Sequence, residues 1–335
     1  MRTDLESLAR DTQAALGANL VALVLGGGYG RSEGAVVRVD GIERAYNDLD
    51  LFVVVQNKSD AALGNLAELS RAYEKVFGVH VDFARPVSIG DVRRWPRWLM
   101  WADAVNGHEV LCGPADVFAS NAPAHLRLPL PAIEGLKLLL NRGAGLLMAM
   151  RMQAGVGAAH DADFPRRNYQ KCALALGDAL LMAYGRYTTP YRGRDAAFAD
   201  LCAARPEVAS LDIADLYARA LEFKFAPDDV GRAQPDAAAL RGLAGTWCKV
   251  VLAVESKRTG RRWNTIEDYA AWTGIREKDE HALAKVARNV VRNVRYGAIG
   301  WKHPREGLYR ALPALLRADK VPNAEWAAEG ARFLD

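Results

Sequence analysis

The sequence lacks several features that mark specialised classes of protein. Its four cysteines lie far apart and form no Cys-x-x-Cys pair, which argues against a zinc or redox motif. No G-x-x-x-x-G-K-[S/T] sequence is present, so a P-loop is excluded. Even the apolar stretch at residues 136–152 is interrupted by Lys137, Asn141 and Arg142, so we predict no membrane span. The first residues lack the apolar run of a signal peptide, and we expect a cytoplasmic protein with reduced thiols.

The charge of the chain is only mildly basic. Its 335 residues carry a formal net charge of +4, with 50% hydrophobic and 25% charged residues. This is ordinary globular composition, whereas a polyanion-binding protein more often carries a larger and clustered excess of basic residues. Small phosphorylated ligands fit this charge as well as nucleic acid does.

The pattern of apolar residues changes near residue 129. Before it, short apolar runs at residues 19–25, 49–55 and 79–84 predict strands, and helical spacing at 5–16 and 61–77 predicts helices. After it, Ala and Leu at helical spacing predict helices at 133–152, 169–184, 214–225, 240–257, 266–273 and 280–296. The length also suits two domains. We therefore predict an α/β (α+β) mixed-sheet domain at residues 1–128, followed by an all-α domain at 129–335.

Three aspartates occupy positions that suit a metal site. Asp48 and Asp50 open the run LDLFVVV, and side chains two apart on a strand point to the same face. Asp82 lies in the run VHVDFA and joins them if the two strands pair. Carboxylate oxygens suit Mg²⁺ (or Mn²⁺), and two such ions clamp the attacking and leaving oxygens of a displacement at phosphorus. We predict that all three aspartates are catalytic and hold two metal ions.

A cluster of glycines ends the first predicted strand. Gly26 and the glycines after it let backbone N–H groups approach phosphate oxygens. Arg31 and the two residues after it are predicted to begin a helix, whose N-terminus attracts anions. The Arg31 guanidinium and the Ser32 hydroxyl could then add phosphate contacts. The predicted nucleotide-binding residues are Gly27, Gly28, Tyr29, Gly30, Arg31 and Ser32.

The two motifs together resemble the signature of the DNA polymerase β-type nucleotidyltransferase superfamily. LGGGYGRSE at residues 25–33, followed by NDLDL at 47–51, carries the resemblance. Gly-Gly-Tyr-Gly-Arg is especially similar to the uridylyltransferases that modify nitrogen-regulatory PII proteins. The helical second half is similar to the small-molecule branch, such as aminoglycoside nucleotidyltransferases. The resemblance implies that Gly27 and Gly28 contact the triphosphate, that Asp48 and Asp50 hold the metals, and that Asp82 assists the attacking group.

The chain departs from the family pattern at two points. Residues 29–47 form a longer gap than is usual in the small-molecule branch. Gly28 stands where many members have serine, so a hydroxyl contact to phosphate must come from Ser32 or be absent.

The predicted reaction moves a nucleoside monophosphate from a nucleoside triphosphate to a hydroxyl of a small-molecule acceptor, with release of pyrophosphate. A protein side chain or an RNA end remains open as the acceptor. A third alternative is an inactive nucleotide-binding regulator or toxin–antitoxin component. A dinucleotide-binding turn fits less well, because Arg31 stands where the third glycine of G-x-G-x-x-G belongs.

Other motifs are interpreted as structural. His160-Asp161 is read as part of a loop, because no further His and Asp residues surround it at the spacing of a metal phosphohydrolase. Trp95, Trp98 and Trp101 predict one face of a helix, with an aromatic shelf for a ring substrate as the alternative. A basic stripe on one helical face is interpreted as solvated, with contact to phosphate or an acidic partner as the alternative; it consists of Arg288, Arg292 and Arg295. A second basic group is predicted to line the cleft between the domains; it consists of Arg166, Arg167 and Lys171.

Overall fold

The structure is a computed structural model that describes residues 1–39, 41–156, 161–228, 233–274, 283–295, 299–303 and 305–318. The chain divides into two compact units. The first contains Met1–Leu130, Tyr187–Ala196 and Leu221–Arg232, and the second contains Pro131–Arg186, Ala197–Ala220 and Ala233–Asp335. The division therefore differs from the predicted one, because two later segments of the chain belong to the first unit.

The strands of the first unit are β1 (Leu20–Leu25), β2 (Val36–Val39), β3 (Ile42–Ala45), β4 (Leu49–Val55), β5 (Val81–Phe83), β6 (Val87–Ser88) and β7 (Glu109–Cys112). The unit contains a mixed sheet with strand order β5-β4-β1-β7. β1 is antiparallel to β4 and β7, while β4 is parallel to β5 and β6. β2 and β3 form a separate antiparallel hairpin, which accounts for the long gap before the aspartates.

Alternate residues of β4 face opposite sides of the sheet. Leu49, Leu51 and Val53 are almost fully buried in the core with residues of two helices, α1 (Arg2–Leu16) and α3 (Asp60–Phe77). Asp50 and Phe52 belong to the other face, where the Phe52 ring contacts Trp101 and Phe118. The helices of this unit are α1 (Arg2–Leu16), α2 (Gly27–Gly30), α3 (Asp60–Phe77), α4 (Ile89–Val92) and α5 (Leu99–Asn106).

The second unit is built from helices. Trp247, fully buried, donates its indole N–H to the carbonyl of Leu139 at 2.8 Å, and the Tyr217 hydroxyl donates to Asp178 at 2.7 Å. The remaining helices are α6 (Ala132–Gln153), α7 (Phe164–Ala183), α8 (Arg194–Ala204), α9 (Pro206–Ala209), α10 (Ala214–Phe225), α11 (Ala237–Thr259), α12 (Ile266–Ala271), α13 (Leu283–Arg295) and α14 (Arg305–Arg317). α8 begins, and α10 ends, with residues that belong to the first unit.

Helix α11 is long and apolar enough to cross a membrane by length and composition, a test that core helices of soluble proteins also pass. Its Glu255 side chain is fully buried and accepts hydrogen bonds from Arg258.

The predicted fold class is confirmed: a mixed α/β sheet precedes a helical half. The tryptophan prediction is wrong, because α5 begins at Leu99 and Trp98 is its N-cap. Trp95 and Trp101 stack with ring centroids 4.2 Å apart, while Trp98 is about half exposed. The three indoles therefore do not share one helical face.

Candidate active site

Two of the three predicted aspartates are brought together by strand pairing. Asp50 of β4 and Asp82 of β5 are register partners in a parallel pair. Side chains of such partners project from the same face of the sheet, and neighbouring strands lie about 4.8 Å apart. Asp50 is half-buried and Asp82 is exposed, so both carboxylates lie on one face of the sheet and are at least partly accessible to solvent. Asp48 precedes β4 and is exposed.

The glycine turn folds back onto Asp50. The Gly26 N–H donates to the Asp50 carbonyl at 2.8 Å. Gly27 has φ +58°, and a Cβ atom there would collide with the Asp50 carboxylate. The backbone at Gly27 thus approaches the carboxylate at a distance that only glycine allows.

The predicted helix start at Arg31–Glu33 is wrong, because the glycines themselves form the helical turn α2. The Gly30 N–H donates to the carbonyl of Gly26 at 2.8 Å, and the Ser32 N–H donates to that of Tyr29 at 3.0 Å. Ser32, with φ 57°, then leaves the turn in the left-handed region and is exposed. The first N–H groups of any such turn have no carbonyl partner within it, and here they belong to the glycines.

Tyr29 is buried and ties the turn to the chain before Asp48. Its hydroxyl donates to the Ala35 carbonyl at 2.7 Å and accepts from the N–H groups of Tyr46 at 2.9 Å and Asn47 at 3.4 Å. Burial is the largest of the factors that raise the pKa of the Tyr29 phenol, so the hydroxyl stays a donor. Tyr29 therefore orders the loop that leads to the aspartates.

Arg31 and Glu33 form a buried ion pair. Their Nε and Oε2 atoms are 3.3 Å apart, and the side chains are 7% and 2% exposed. The Glu33 carboxylate also accepts from the N–H groups of Tyr191 and Arg192, both at 3.0 Å. The Arg31 guanidinium lies 5.2 Å from the centroid of the Tyr191 ring. The structure thus gives Arg31 protein partners, and its predicted phosphate contact stays a prediction.

Lys224 lies at the candidate site beside the glycine turn, although the sequence did not indicate this. A Cβ atom at Gly28 would lie 2.9 Å from Lys224 Nζ, so the ammonium occupies the space that a side chain at position 28 would need. Lys224 Nζ is also 5.2 Å from the centroid of the Tyr191 ring. No local pattern around Lys224 indicates this, because α10 reads as an ordinary amphipathic helix.

A second ionic group links the Tyr187–Ala196 segment to Asp103 of α5. The Tyr187 hydroxyl donates to the Asp103 carboxylate at 3.1 Å, and Arg194 Nη2 donates to the Tyr187 hydroxyl at 2.9 Å. Burial raises the pKa of Asp103 to about 6, against the opposing effects of the Arg194 and Arg31 charges. This group holds the segment within the first unit.

The structure places only two of the three predicted metal-binding aspartates, Asp50 and Asp82, in register with each other. Among the described residues, no group of three His, Cys, Asp or Glu side chains is close enough together to hold a metal ion. Mg²⁺ usually takes one or two protein carboxylates together with phosphate oxygens, and the register pair Asp50 and Asp82 fits that donor set. A two-metal site that includes Asp48 stays a prediction.

The remaining predicted groups have ordinary structural partners. Asp161 pairs with Arg167 at 2.7 Å, and Arg166 pairs with Asp163 at 2.6 Å. His160 lies outside the described residues. Arg288 and Arg295 are exposed on α13, as predicted for a solvated face, whereas Arg292 is half-buried and its Nη1 lies 3.4 Å from His303 Nε2.

Comparison with known proteins leaves the family open. No protein-family model matches the chain, and no curated protein matches it. Among solved structures, the chain is similar to spectinomycin adenyltransferase AAD(9) from Enterococcus faecialis, which was solved with ATP and spectinomycin. The identity is 13% and the TM-score 0.44, over 74% of this chain and 99% of that chain. At this distance the likeness does not bear on chemistry, which has to be inferred from the residues themselves.

Proposed function

We propose that this chain is a nucleotidyltransferase that moves a nucleoside monophosphate from a nucleoside triphosphate to a hydroxyl of a small-molecule acceptor. One observation carries the proposal: Asp50 and Asp82 are in register on one face of the sheet, and the glycine turn is folded against Asp50. A pair of carboxylates beside the backbone N–H groups of a glycine turn can hold a phosphate chain and its metal ion together.

The phosphate side of the proposed site consists of the glycine turn and Lys224. The N–H groups at the start of α2 suit the oxygens of the β- and γ-phosphates, and the Lys224 ammonium beside Gly28 adds a positive charge. This charge takes the place of the hydroxyl that a serine at position 28 would supply. Ser32 remains a proposed second contact.

Asp50 and Asp82 would hold Mg²⁺, with Asp48 as a proposed further ligand. The bound ion would neutralise charge on the phosphates. The acceptor oxygen forms a bond to the α-phosphorus, the bond from that phosphorus to the bridging oxygen breaks, and pyrophosphate leaves. The exposed Asp82 carboxylate takes the proton of the acceptor hydroxyl.

The proposal is tested by thermal shift with ATP, CTP, GTP and UTP, with and without Mg²⁺. We expect a Mg²⁺-dependent rise in Tm with at least one triphosphate, because a ligand at 100 times its Kd adds about 2.7 kcal/mol of stability. Asp50→Asn should abolish this dependence on Mg²⁺ and lower turnover by at least about 100-fold, as expected for loss of charge stabilisation. Asp200→Asn, at an exposed position in the second unit, is the matched control.

Near-normal turnover of the Asp50→Asn variant would contradict the proposed role of Asp50. No shift with any triphosphate would contradict nucleotide binding as a whole. Affinity for RNA that falls steeply with salt would instead favour an RNA acceptor.

A further inference from the structure

The Tyr187–Ala196 segment is held in place more firmly than an ordinary surface loop. Glu33, 4% exposed, accepts one N–H from Tyr191 and one from Arg192, each at 3.0 Å. Two successive N–H groups that donate to one buried carboxylate fix both the position and the orientation of the backbone at Tyr191 and Arg192. Hydrogen bonds to a charged acceptor are also stronger than neutral ones.

The same segment is wound around a buried guanidinium. Arg194 is 1% exposed, and its Nε donates to the carbonyls of Thr188 at 2.9 Å and Pro190 at 3.0 Å. Its Nη2 donates to the Thr189 carbonyl at 2.7 Å. Because the five N–H donors of arginine have a fixed planar arrangement, these bonds set the path of the backbone on either side of Pro190.

The two anchors together determine where the Tyr191 ring lies. Arg194 packs on this ring, with Cζ 4.1 Å from the centroid. Lys224 Nζ is 5.2 Å from the same centroid and lies beside Gly28. An aromatic ring attracts an ammonium within about 6 Å, and it can restrict the flexible lysine side chain to one direction.

We propose that Tyr191 is a positioning residue for phosphate binding: its ring holds the Lys224 ammonium beside Gly28, and Glu33 holds the ring. The inference rests on the proposed function, because it assigns to Lys224 the β- and γ-phosphates of the donor. It adds that the affinity for these phosphates depends on a residue that does not itself need to contact them.

The test compares Tyr191→Leu with Tyr191→Phe in the full chain. Affinities are measured by titration calorimetry for the four nucleoside triphosphates and the corresponding monophosphates, all with Mg²⁺. Tyr191→Leu should weaken binding of the preferred triphosphate by about 3- to 30-fold, the range expected for loss of a cation–π contact. Binding of the monophosphate should change by less than about 2-fold, because it lacks the two phosphates that Lys224 would contact. Tyr191→Phe keeps the ring and should stay within about 2-fold of wild type for both ligands.

Glu33→Gln provides a second variant that leaves the Tyr191 ring intact. Glutamine offers one acceptor oxygen in place of two, so amide hydrogen exchange in Tyr187–Ala196 should become faster. Triphosphate affinity should fall in parallel, again with little change for the monophosphate. If Tyr191→Leu fails to fold, the Glu33→Gln variant tests the positioning role of Tyr191 in its place.

Two outcomes would overturn the inference alone. The first is that the wild type binds triphosphate and the Tyr191→Leu variant binds it with the same affinity. The other is a variant that loses triphosphate and monophosphate binding to the same extent, which would indicate general damage to the site. Failure of the wild type to bind any triphosphate would overturn the proposed function and this inference together.

Discussion

At the scale of single residues, two glycines shape the candidate active site because they carry no side chain. Gly27 has a left-handed φ and faces the Asp50 carboxylate, while the space beside Gly28 is taken by the Lys224 ammonium. Both glycines were predicted to serve close approach by phosphate. In the structure they also allow close approach by the protein's own charged groups, which a pattern of glycines alone cannot reveal.

Gly27→Ala should damage the site beyond the strain of its backbone. A left-handed conformation costs a non-glycine residue about 1–2 kcal/mol, and at Gly27 the new methyl group would also displace the Asp50 carboxylate. Gly155→Ala is the matched control, since Gly155 has φ +70° and nothing within 4 Å of its Cβ position. We expect similar losses of stability from strain in both variants, but a large loss of turnover only for Gly27→Ala. Equal activity of the two variants would contradict this account of Gly27.

Asp103 should make stability depend on pH. Its pKa in the folded protein is raised, mainly by burial, from 3.8 to about 6. The folded state therefore binds this proton more tightly than the unfolded state, and the resulting stabilisation is complete below about pH 4 and lost as pH rises through 6. The free energy of unfolding should fall by roughly 1–3 kcal/mol over this range relative to an Asp103→Asn variant.

Urea denaturation of wild type and Asp103→Asn at intervals between pH 4 and 7.5 measures this difference. Asp200→Asn, at an exposed position on α8, is the control substitution. Parallel curves for wild type and Asp103→Asn would show that Asp103 does not titrate in this range.

At the scale of elements, the long apolar runs were predictable and the short elements were not. β4 was predicted at its observed bounds, because a seven-residue run of mostly β-branched and apolar residues between polar segments is typical of a buried strand. The β2–β3 hairpin was missed, since its four-residue strands are too short to show a clear periodicity. The pairing of Asp50 with Asp82 followed from the sequence only on the assumption that the two strands are neighbours.

The contacts of Lys224 and Glu33 at the candidate site could not be predicted from the sequence. Lys224 reaches the glycine turn from α10, far away along the chain. Glu33 looks like an exposed helix-start residue in the sequence, yet it is buried and bonded to Tyr191 and Arg192. Contacts of this kind depend on tertiary packing and leave no local periodic signal.

Tyr29→Phe should loosen the connection between the hairpin and β4. The substitution removes the hydroxyl that donates to Ala35 and accepts from Tyr46 and Asn47, while the Tyr46 N–H keeps the Ala35 carbonyl as an acceptor at 3.2 Å. Loss of a hydrogen bond of this kind costs about 0.5–1.5 kcal/mol. We expect a lower midpoint of chemical denaturation and faster amide exchange at residues 46–48. Exchange at those residues equal to that of wild type would contradict the tethering role.

At the scale of the whole molecule, the first unit is assembled from three stretches of chain that are distant in sequence. If the proposed function holds, a bound triphosphate with Mg²⁺ should slow amide exchange in all three: residues 26–33, Tyr187–Ala196 and 221–228. Exchange in α11 at short labelling times serves as the internal control. Protection confined to residues 26–33 would show that Tyr191 and Lys224 do not take part in binding.

The interleaved chain path has a consequence for the synthesis of the protein on the ribosome. N-terminal domains generally fold first as they emerge. Here the Glu33 carboxylate has Arg31 beside it from the start, but the N–H groups of Tyr191 and Arg192 are synthesised only after α6 and α7. A nascent chain halted near residue 130 would therefore contain this acidic group without its two backbone donors, and the first unit would be completed only when translation has passed α10.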